Sequence, residues 1–187
     1  AEERGVFPNY EGSRYDRPGA SGLRNATVTT IAPTGTLSLI ADCSSGIEPL
    51  FALEYTRRAL EEMEFQITDP LFLGLGERGG FMSQDLIQSL HDGASVKDLP
   101  QIPQPIKDLF VTTFEISPLW HIKIQAAFQE YTDNAVSKTI NFPRDATKED
   151  VKEAYMMAYR ERCKGITIYR SGSKAKQVLA CGTKQVC

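Results

Sequence analysis

The chain has 187 residues, 41% hydrophobic and 24% charged, with a formal net charge of −3. That balance argues against a protein that coats nucleic acid or lies on a membrane surface, and no apolar run approaches the ~18 to 20 residues that span a bilayer. Ala1-Glu2-Glu3-Arg4-Gly5 offers no signal-peptide hydrophobic core, so the cytoplasm is the expected location.

Residues 1–24 carry Gly5, Pro8, Gly12, Pro18, Gly19 and Gly22 among charges and tyrosines, which is loop composition. The next stretch is the most informative one. Val28 and Ile31 among three threonines predict a buried strand over 25–31, Pro33 and Gly35 break it, and Thr34 or Thr36 can cap the helix that follows. The first turn of such a helix has amides without intrahelical partners at the positive end of its dipole. A phosphate fits there, although the same residues also make an ordinary strand-to-helix turn. No Gly-x-x-x-x-Gly-Lys-Ser/Thr pattern is present, which excludes a Walker loop.

Pro49 ends that unit, and Phe51, Leu53 and Tyr55 alternate with polar residues as an extended segment. Gly74, Gly76, Gly79 and Gly80 predict a mobile stretch. Ser83 then caps a short helix whose Leu86, Ile87 and Leu90 share one face and which Gly93 stops. Pro100, Pro103 and Pro105 punctuate the connection onward.

Ser117-Pro118 is a strong helix start, because Pro at the first helical position loses nothing by lacking an N–H. Trp120, Ile124, Ala127, Phe128, Tyr131 and Ala135 recur every three or four residues and predict a core-packing stripe. His121 lies one residue off that stripe with no second ligand at metal spacing, so packing or hydrogen bonding is its expected role; His91 is similarly alone. Residues 137–142 form a short β-branched run closed by Pro143. Thr147-Lys148-Glu149-Asp150 opens the next helix like a capping box, with Val151, Ala154, Tyr155 and Ala158 on one face. Gly165 ends it, and Ile166-Thr167-Ile168-Tyr169 predicts a buried strand. This is a βαβ unit, whose two strands are parallel neighbours.

The four cysteines make no C-x-x-C and no zinc pattern. Cys43 and Cys163 are expected to be small core residues. Cys181 and Cys187 sit in a basic tail, 174–187, where lysines favour the thiolate and so disulfide exchange. After position 159 seven basic residues, Arg160, Arg162, Lys164, Arg170, Lys174, Lys176 and Lys184, face only Glu161. A solvated terminal segment is the plain reading of that charge, and a surface attracting anionic nucleotides or an acidic partner is the other.

Four motifs occur in order. They are Arg24-Asn25-Ala26-Thr27-Val28-Thr29-Thr30-Ile31-Ala32-Pro33-Thr34-Gly35-Thr36, Cys43-Ser44-Ser45-Gly46-Ile47-Glu48-Pro49, His121-Ile122-Lys123-Ile124-Gln125-Ala126-Ala127-Phe128-Gln129, and Asp133-Asn134-Ala135-Val136-Ser137-Lys138-Thr139-Ile140-Asn141-Phe142-Pro143. Together they closely resemble the adenosylcobalamin-dependent (class II) ribonucleotide reductases, over about residues 7–173. The resemblance implies an α/β fold: the C-terminal part of a ten-stranded barrel over 25–173, with parallel βαβ units, followed by a flexible tail. It implies that Pro33, Thr34, Gly35 and Thr36 form the substrate-phosphate loop of an enzyme that replaces the ribose 2′-hydroxyl of a ribonucleotide, most simply a diphosphate, by hydrogen through a thiyl radical.

Relatives fed by a separate radical subunit carry two adjacent tyrosines where this chain has Ile168-Tyr169. The resemblance therefore implies adenosylcobalamin as the radical source, with contacts unassigned. The implied partners are a ribonucleotide, the N-terminal portion of the reductase and a thioredoxin-like reductant feeding a Cys181/Cys187 relay, with no nucleic acid and no membrane. The family's radical cysteine and its Asn-x-Cys-x-Glu setting are absent from these residues, so no catalytic residue is expected here. Two other readings stay open: a noncatalytic phosphate- or nucleotide-binding module or partner subunit, and a phosphate-transfer enzyme using Asp42 and Glu48.

Overall fold

The computed structural model describes residues 1–41, 43–59, 63–173 and 179–180. The second half holds a βαβ unit. Strand β3 (Thr139–Phe142) and strand β4 (Thr167–Arg170) pair in parallel, Ile140 opposite Ile168 and Phe142 opposite Arg170. The intervening helix, Lys148–Arg160, opens with a reciprocal cap. Thr147 Oγ1 accepts the Asp150 amide at 3.2 Å, and Asp150 Oδ2 accepts the Thr147 amide at 2.7 Å. Ala154 and Ala158 turn inward one turn apart onto Ile140 and Phe142. Their small side chains let helix and strand approach, and the two buried strand residues contribute about 2 kcal/mol each. Tyr155, expected on that buried face, is half-exposed.

The helix Pro118–Gln129 starts at Ser117-Pro118 as expected but packs the opposite way round. Trp120 is 60% exposed and Tyr131 80%, and Ile124, Ala127, Phe128 and Ala135 are also exposed. The buried residues are His121, Ile122, Gln125 and Gln129. Their surroundings explain the inversion: this helix covers irregular chain leading into β3 and β4, whose carbonyls need donors away from water. Gln125 Nε2 donates to Gly165 O at 2.8 Å and Val136 O at 3.3 Å. Gln129 Nε2 donates to Asn134 O and Thr132 O, while its Oε1 accepts the Lys164 amide. His121 Nε2 donates to Thr113 O at 3.0 Å.

The first half holds a second core. Strand β1 (Glu54–Ala59) forms an antiparallel hairpin with β2 (Met63–Thr68), and β5 (Leu179–Ala180) pairs antiparallel on the other edge of β1. The expectation of parallel strands thus holds for β3 and β4, while these three run antiparallel. The glycine-rich stretch expected to be mobile is a helix, Pro70–Gly79. Asp69 caps it by accepting the Phe72 amide at 2.8 Å, and Pro70 stands at its first position. Gly76 has a packing reason, since a Cβ there would fall 2.3 Å from Met82 Cε. Ser83 caps the next helix, Gln84–His91, through the Leu86 amide at 3.1 Å, and Leu86 and Leu90 are buried as expected. A further short helix, Gln104–Leu109, follows the prolines. Leu53, Phe72, Leu86, Leu90, Val96, Ile102 and Phe110 make up this core.

The helices are labelled in chain order: α1 (Gly35–Ala41), α2 (Pro70–Gly79), α3 (Gln84–His91), α4 (Gln104–Leu109), α5 (Pro118–Gln129) and α6 (Lys148–Arg160). Among the described residues no helix is long and apolar enough to cross a membrane.

A carboxylate clasps the connection before α5. Glu115 Oε2 accepts the Thr112 amide at 2.7 Å and the Thr112 hydroxyl at 3.1 Å, Oε1 accepts the Ser95 hydroxyl at 2.8 Å, and Lys97 Nζ lies 3.5 Å away. Burial alone raises the carboxyl's pKa, but these donors outweigh it and hold it below the usual range. A depressed folded-state pKa contributes stability that is present above the unfolded value and lost as pH falls through the folded one. Glu115→Gln should therefore cost about 1 kcal/mol at pH 7, the worth of a cap. The gap to wild type should close below about pH 4.5, the carboxyl's reference value. Urea melts of both proteins from pH 7 to pH 3 check it; a gap that stays constant contradicts the assignment.

Candidate functional site

The expected strand over 25–31 is an extended segment that pairs on one side only. Ile31 forms a single parallel bridge with Val136. The Ser137 amide donates to Ile31 O at 2.8 Å, and the Asn134 amide to Thr29 O at 3.1 Å. Asp133 Oδ2 accepts the Val28 and Thr29 amides, and Thr29 Oγ1 accepts the Asp133 amide. Those amides hold the Asp133 carboxyl below its usual range. Among the described residues no strand pairs with the outer side, and Val28 is 77% exposed rather than buried.

After Pro33 the chain turns sharply into α1. Thr34 has φ +45°, a left-handed backbone that costs a β-branched residue roughly 1 to 2 kcal/mol. Its carbonyl accepts the Ser38 amide at 2.9 Å, which starts the helix, while its hydroxyl lies 3.4 Å from Ser45 Oγ instead of capping α1. Ser45 Oγ donates to Pro33 O. Among the described residues, the amides of Gly35, Thr36 and Leu37 meet no acceptor. Gly35 and Thr36 are exposed, and a Cβ added to Gly35 would touch nothing within 4 Å. Pro33, Gly35 and Thr36 thus lie in an exposed turn, with Thr34 partly covered.

The return arm runs from Cys43 to Leu50. Cys43, expected in the core, is exposed, because α1 stops at Ala41 and turns outward with Ile40 78% exposed. Cys163 does meet the second core, and burial pushes its thiol pKa up. Ser45 O accepts the Glu48 amide at 2.9 Å, with Gly46 at φ +55° between them. The Glu48 carboxylate then reaches β3: Oε2 accepts from Lys138 Nζ at 2.5 Å, and Oε1 accepts the Thr139 amide at 2.5 Å. Lys138 Nζ also donates to Thr139 O.

The Lys138 side chain is wholly buried, and burial pulls its pKa down against the opposing pull of Glu48. Below it, Asn141 Nδ2 donates to Thr113 Oγ1 at 2.8 Å, and the Thr113 amide donates to Leu50 O. His121 shares this layer; burial, reinforced by the Lys138 charge, lowers its pKa.

Lys138 and Ser45 escaped the sequence reading. The signal for the first was a cation inside a strand run, which must find a partner to be buried. The Ser45 contact had no signal beyond a Ser-Gly turn. His91, read as alone, bonds Glu54 Oε1 at 3.1 Å. Cys181, Cys187 and Asp42 lie outside the described residues. Among the described residues no group of three His, Cys, Asp or Glu side chains could hold a metal ion.

An exposed turn, tied through the Glu48 carboxylate to the first strand of a parallel βαβ unit, stands beside the sheet of an α/β protein. The chain belongs to the ribonucleotide reductase barrel-domain family, which matches residues 16–169. It is 48% identical over 99% of its length to a vitamin B12-dependent ribonucleoside-diphosphate reductase of Thermoplasma acidophilum, and covers 24% of that protein. It is 43% identical over 96% of its length to a protein of the same description from Mycobacterium tuberculosis, and covers 26% of it. Among solved structures, the alpha subunit of the Actinobacillus ureae class Id ribonucleotide reductase superposes with a TM-score of 0.67 at 27% identity, over 81% of this chain and 28% of that one. The chain spans about a quarter of the length of the curated relatives it matches.

Proposed function

We propose that this chain supplies the substrate-phosphate side of a B12-dependent ribonucleoside-diphosphate reductase, an enzyme that replaces the ribose 2′-hydroxyl by hydrogen. One observation carries the reading: among the described residues the amides of Gly35, Thr36 and Leu37, all exposed residues, meet no acceptor beside a strained Thr34. Phosphate oxygens accept from such amides without needing a side-chain cation. Nothing in the described chain needs Gly35, since its φ is not positive and a Cβ would have room. A group that approaches the main chain from outside explains the glycine. Holding the diphosphate there orients the sugar toward the radical, so this portion contributes by positioning.

Adenosylcobalamin, when bound to such a reductase, supplies the radical. The described residues do not fit as its cobalt ligands: His91 is held by Glu54, and His121 is 1% exposed and bonded to Thr113 O. We assign its contacts, like the radical cysteine, to other parts of the reductase. Cys181 and Cys187 are assigned to passing electrons from a thioredoxin-like dithiol in the cytoplasm. Of the two carboxylates of the phosphate-transfer reading, Glu48 has both oxygens bonded to Lys138 and Thr139, and Asp42 lies outside the described residues.

Thr36→Val tests the loop. In a full-length reductase carrying this segment, removing one hydrogen bond to a charged oxygen costs ~1.5–3 kcal/mol, or about 10- to 100-fold in diphosphate affinity. Equilibrium binding should show that loss for the diphosphate and none for the bare nucleoside. Wild-type protein that binds nucleoside and diphosphate equally contradicts the proposal.

A further inference from the structure

We infer that Glu48 and Lys138 are positioning residues for the phosphate loop, acting as a partly buried clamp that closes its base; this rests on the phosphate-loop reading above. The loop leaves and rejoins the sheet at one place. Its outgoing arm is held where the Ser137 amide donates to Ile31 O at 2.8 Å, and its returning arm where the Thr139 amide donates to Glu48 Oε1 at 2.5 Å. Both anchors sit on the short run entering β3, two residues apart. Lys138 lies between them with its side chain wholly buried and its ammonium on Glu48 Oε2.

From Glu48 the restraint passes directly to the amide-bearing turn. The Glu48 amide is held by Ser45 O, Ser45 Oγ donates to Pro33 O, and Ser45 Oγ also stands 3.4 Å from Thr34 Oγ1. Thr34 is the strained residue whose carbonyl starts α1. A left-handed threonine persists only where its surroundings over-determine it, and here those surroundings trace back to the clamp. A buried pair of this kind adds little net stability over a hydrophobic replacement, while loss of one partner leaves an uncompensated charge. What it supplies is a fixed loop geometry, and hence a ready array of amides for the diphosphate.

The test uses a full-length reductase carrying this segment. Glu48→Ala removes both contacts of the carboxylate and should raise KM for a ribonucleoside diphosphate at least tenfold, about 1.4 kcal/mol, with kcat at saturation changed less than threefold. Affinity for the bare nucleoside should stay at the wild-type value. The double variant Glu48→Gln, Lys138→Met keeps an acceptor for the Thr139 amide and removes both charges, so it should recover most of the diphosphate affinity. If Glu48→Ala does not fold, Glu48→Gln is read in its place, with a KM increase of about threefold.

Diphosphate KM unchanged in Glu48→Ala or, where that does not fold, in Glu48→Gln, or nucleoside and diphosphate affinity lost in parallel, overturns the clamp and leaves the loop reading standing. Wild-type protein that fails to prefer diphosphate over nucleoside overturns the loop reading, and the clamp with it.

Discussion

Phe72→Ala should destabilise the protein by about 4 kcal/mol, a large part of the roughly 5–15 kcal/mol that holds a domain folded. Phe72 has no exposed surface and sits in the first turn of α2, where Asp69 fixes its backbone amide. Its ring meets Phe110 edge-on at 5.3 Å and Phe81 at 6.1 Å. Leu53, Leu86, Leu90, Val96 and Ile102 complete the same cluster, drawn from β1's approach, α3 and the loops beyond. Truncation therefore removes the centre of the first core and leaves a void that walls from several elements cannot all close. Urea denaturation should show a lower midpoint with an unchanged slope. Trp120→Ala is the control: the larger ring is 60% exposed over Lys123, so its loss should cost under about 1 kcal/mol. Equal costs for the two would mean that α5 packs with its apolar stripe inward after all.

That contrast marks where the sequence could be read and where it could not. Capping chemistry is local, so Ser83, Ser117-Pro118 and Thr147 with Asp150 announced three helix starts correctly. The βαβ unit was legible for a similar reason: two β-branched runs flank a capped amphipathic helix, and handedness and pairing follow from chain connectivity. The inward face of α5 was not legible, because periodicity reports where the apolar residues lie and not what the helix packs against. Gln125 and Gln129 face in because carbonyls of Val136, Gly165, Thr132 and Asn134 await donors there. Asp69-Pro70 did signal α2, but four glycines outweighed it; Gly76 is there to admit Met82 and Phe81.

At the candidate site, the residue types of Pro33 to Thr36 were sufficient to suggest an anion turn. The strand expected before it was not found, since β-branched composition describes a surface that suits pairing and says nothing about which edges are occupied. Glu48 was visible as a carboxylate near the loop, yet its partner lies 90 residues away. Only the fold brings the two together, and in doing so it converts a possible metal ligand into an anchor.

The 187-residue polypeptide, given adenosylcobalamin, a dithiol and a ribonucleoside diphosphate, should form no deoxynucleotide above the protein-free rate. Turnover should return when a polypeptide carrying the remainder of a homologous reductase is added. In the proposed role, holding a diphosphate would immobilise the sugar, and that alone lowers only the entropic part of the barrier. Abstraction of a ribose hydrogen also needs a thiol held against the sugar. Among the described residues the thiols are Cys43 and Cys163. Cys163 is partly covered by the second core, which packs against its side chain. Cys43 is exposed, but its neighbours are not the Asn-x-Cys-x-Glu that the resemblance implies around a radical cysteine. Chromatographic analysis of products from the polypeptide alone, and from the supplemented mixture, checks both halves of the prediction. Deoxynucleotide from the polypeptide alone would require one of these two thiols, or a thiol of the tail, to carry the radical, and would overturn the division of labour proposed here. Restoration only on supplementation would place the diphosphate-holding turn and the radical chemistry on different stretches of one enzyme, as expected where oriented amides do the binding and a cofactor starts the reaction.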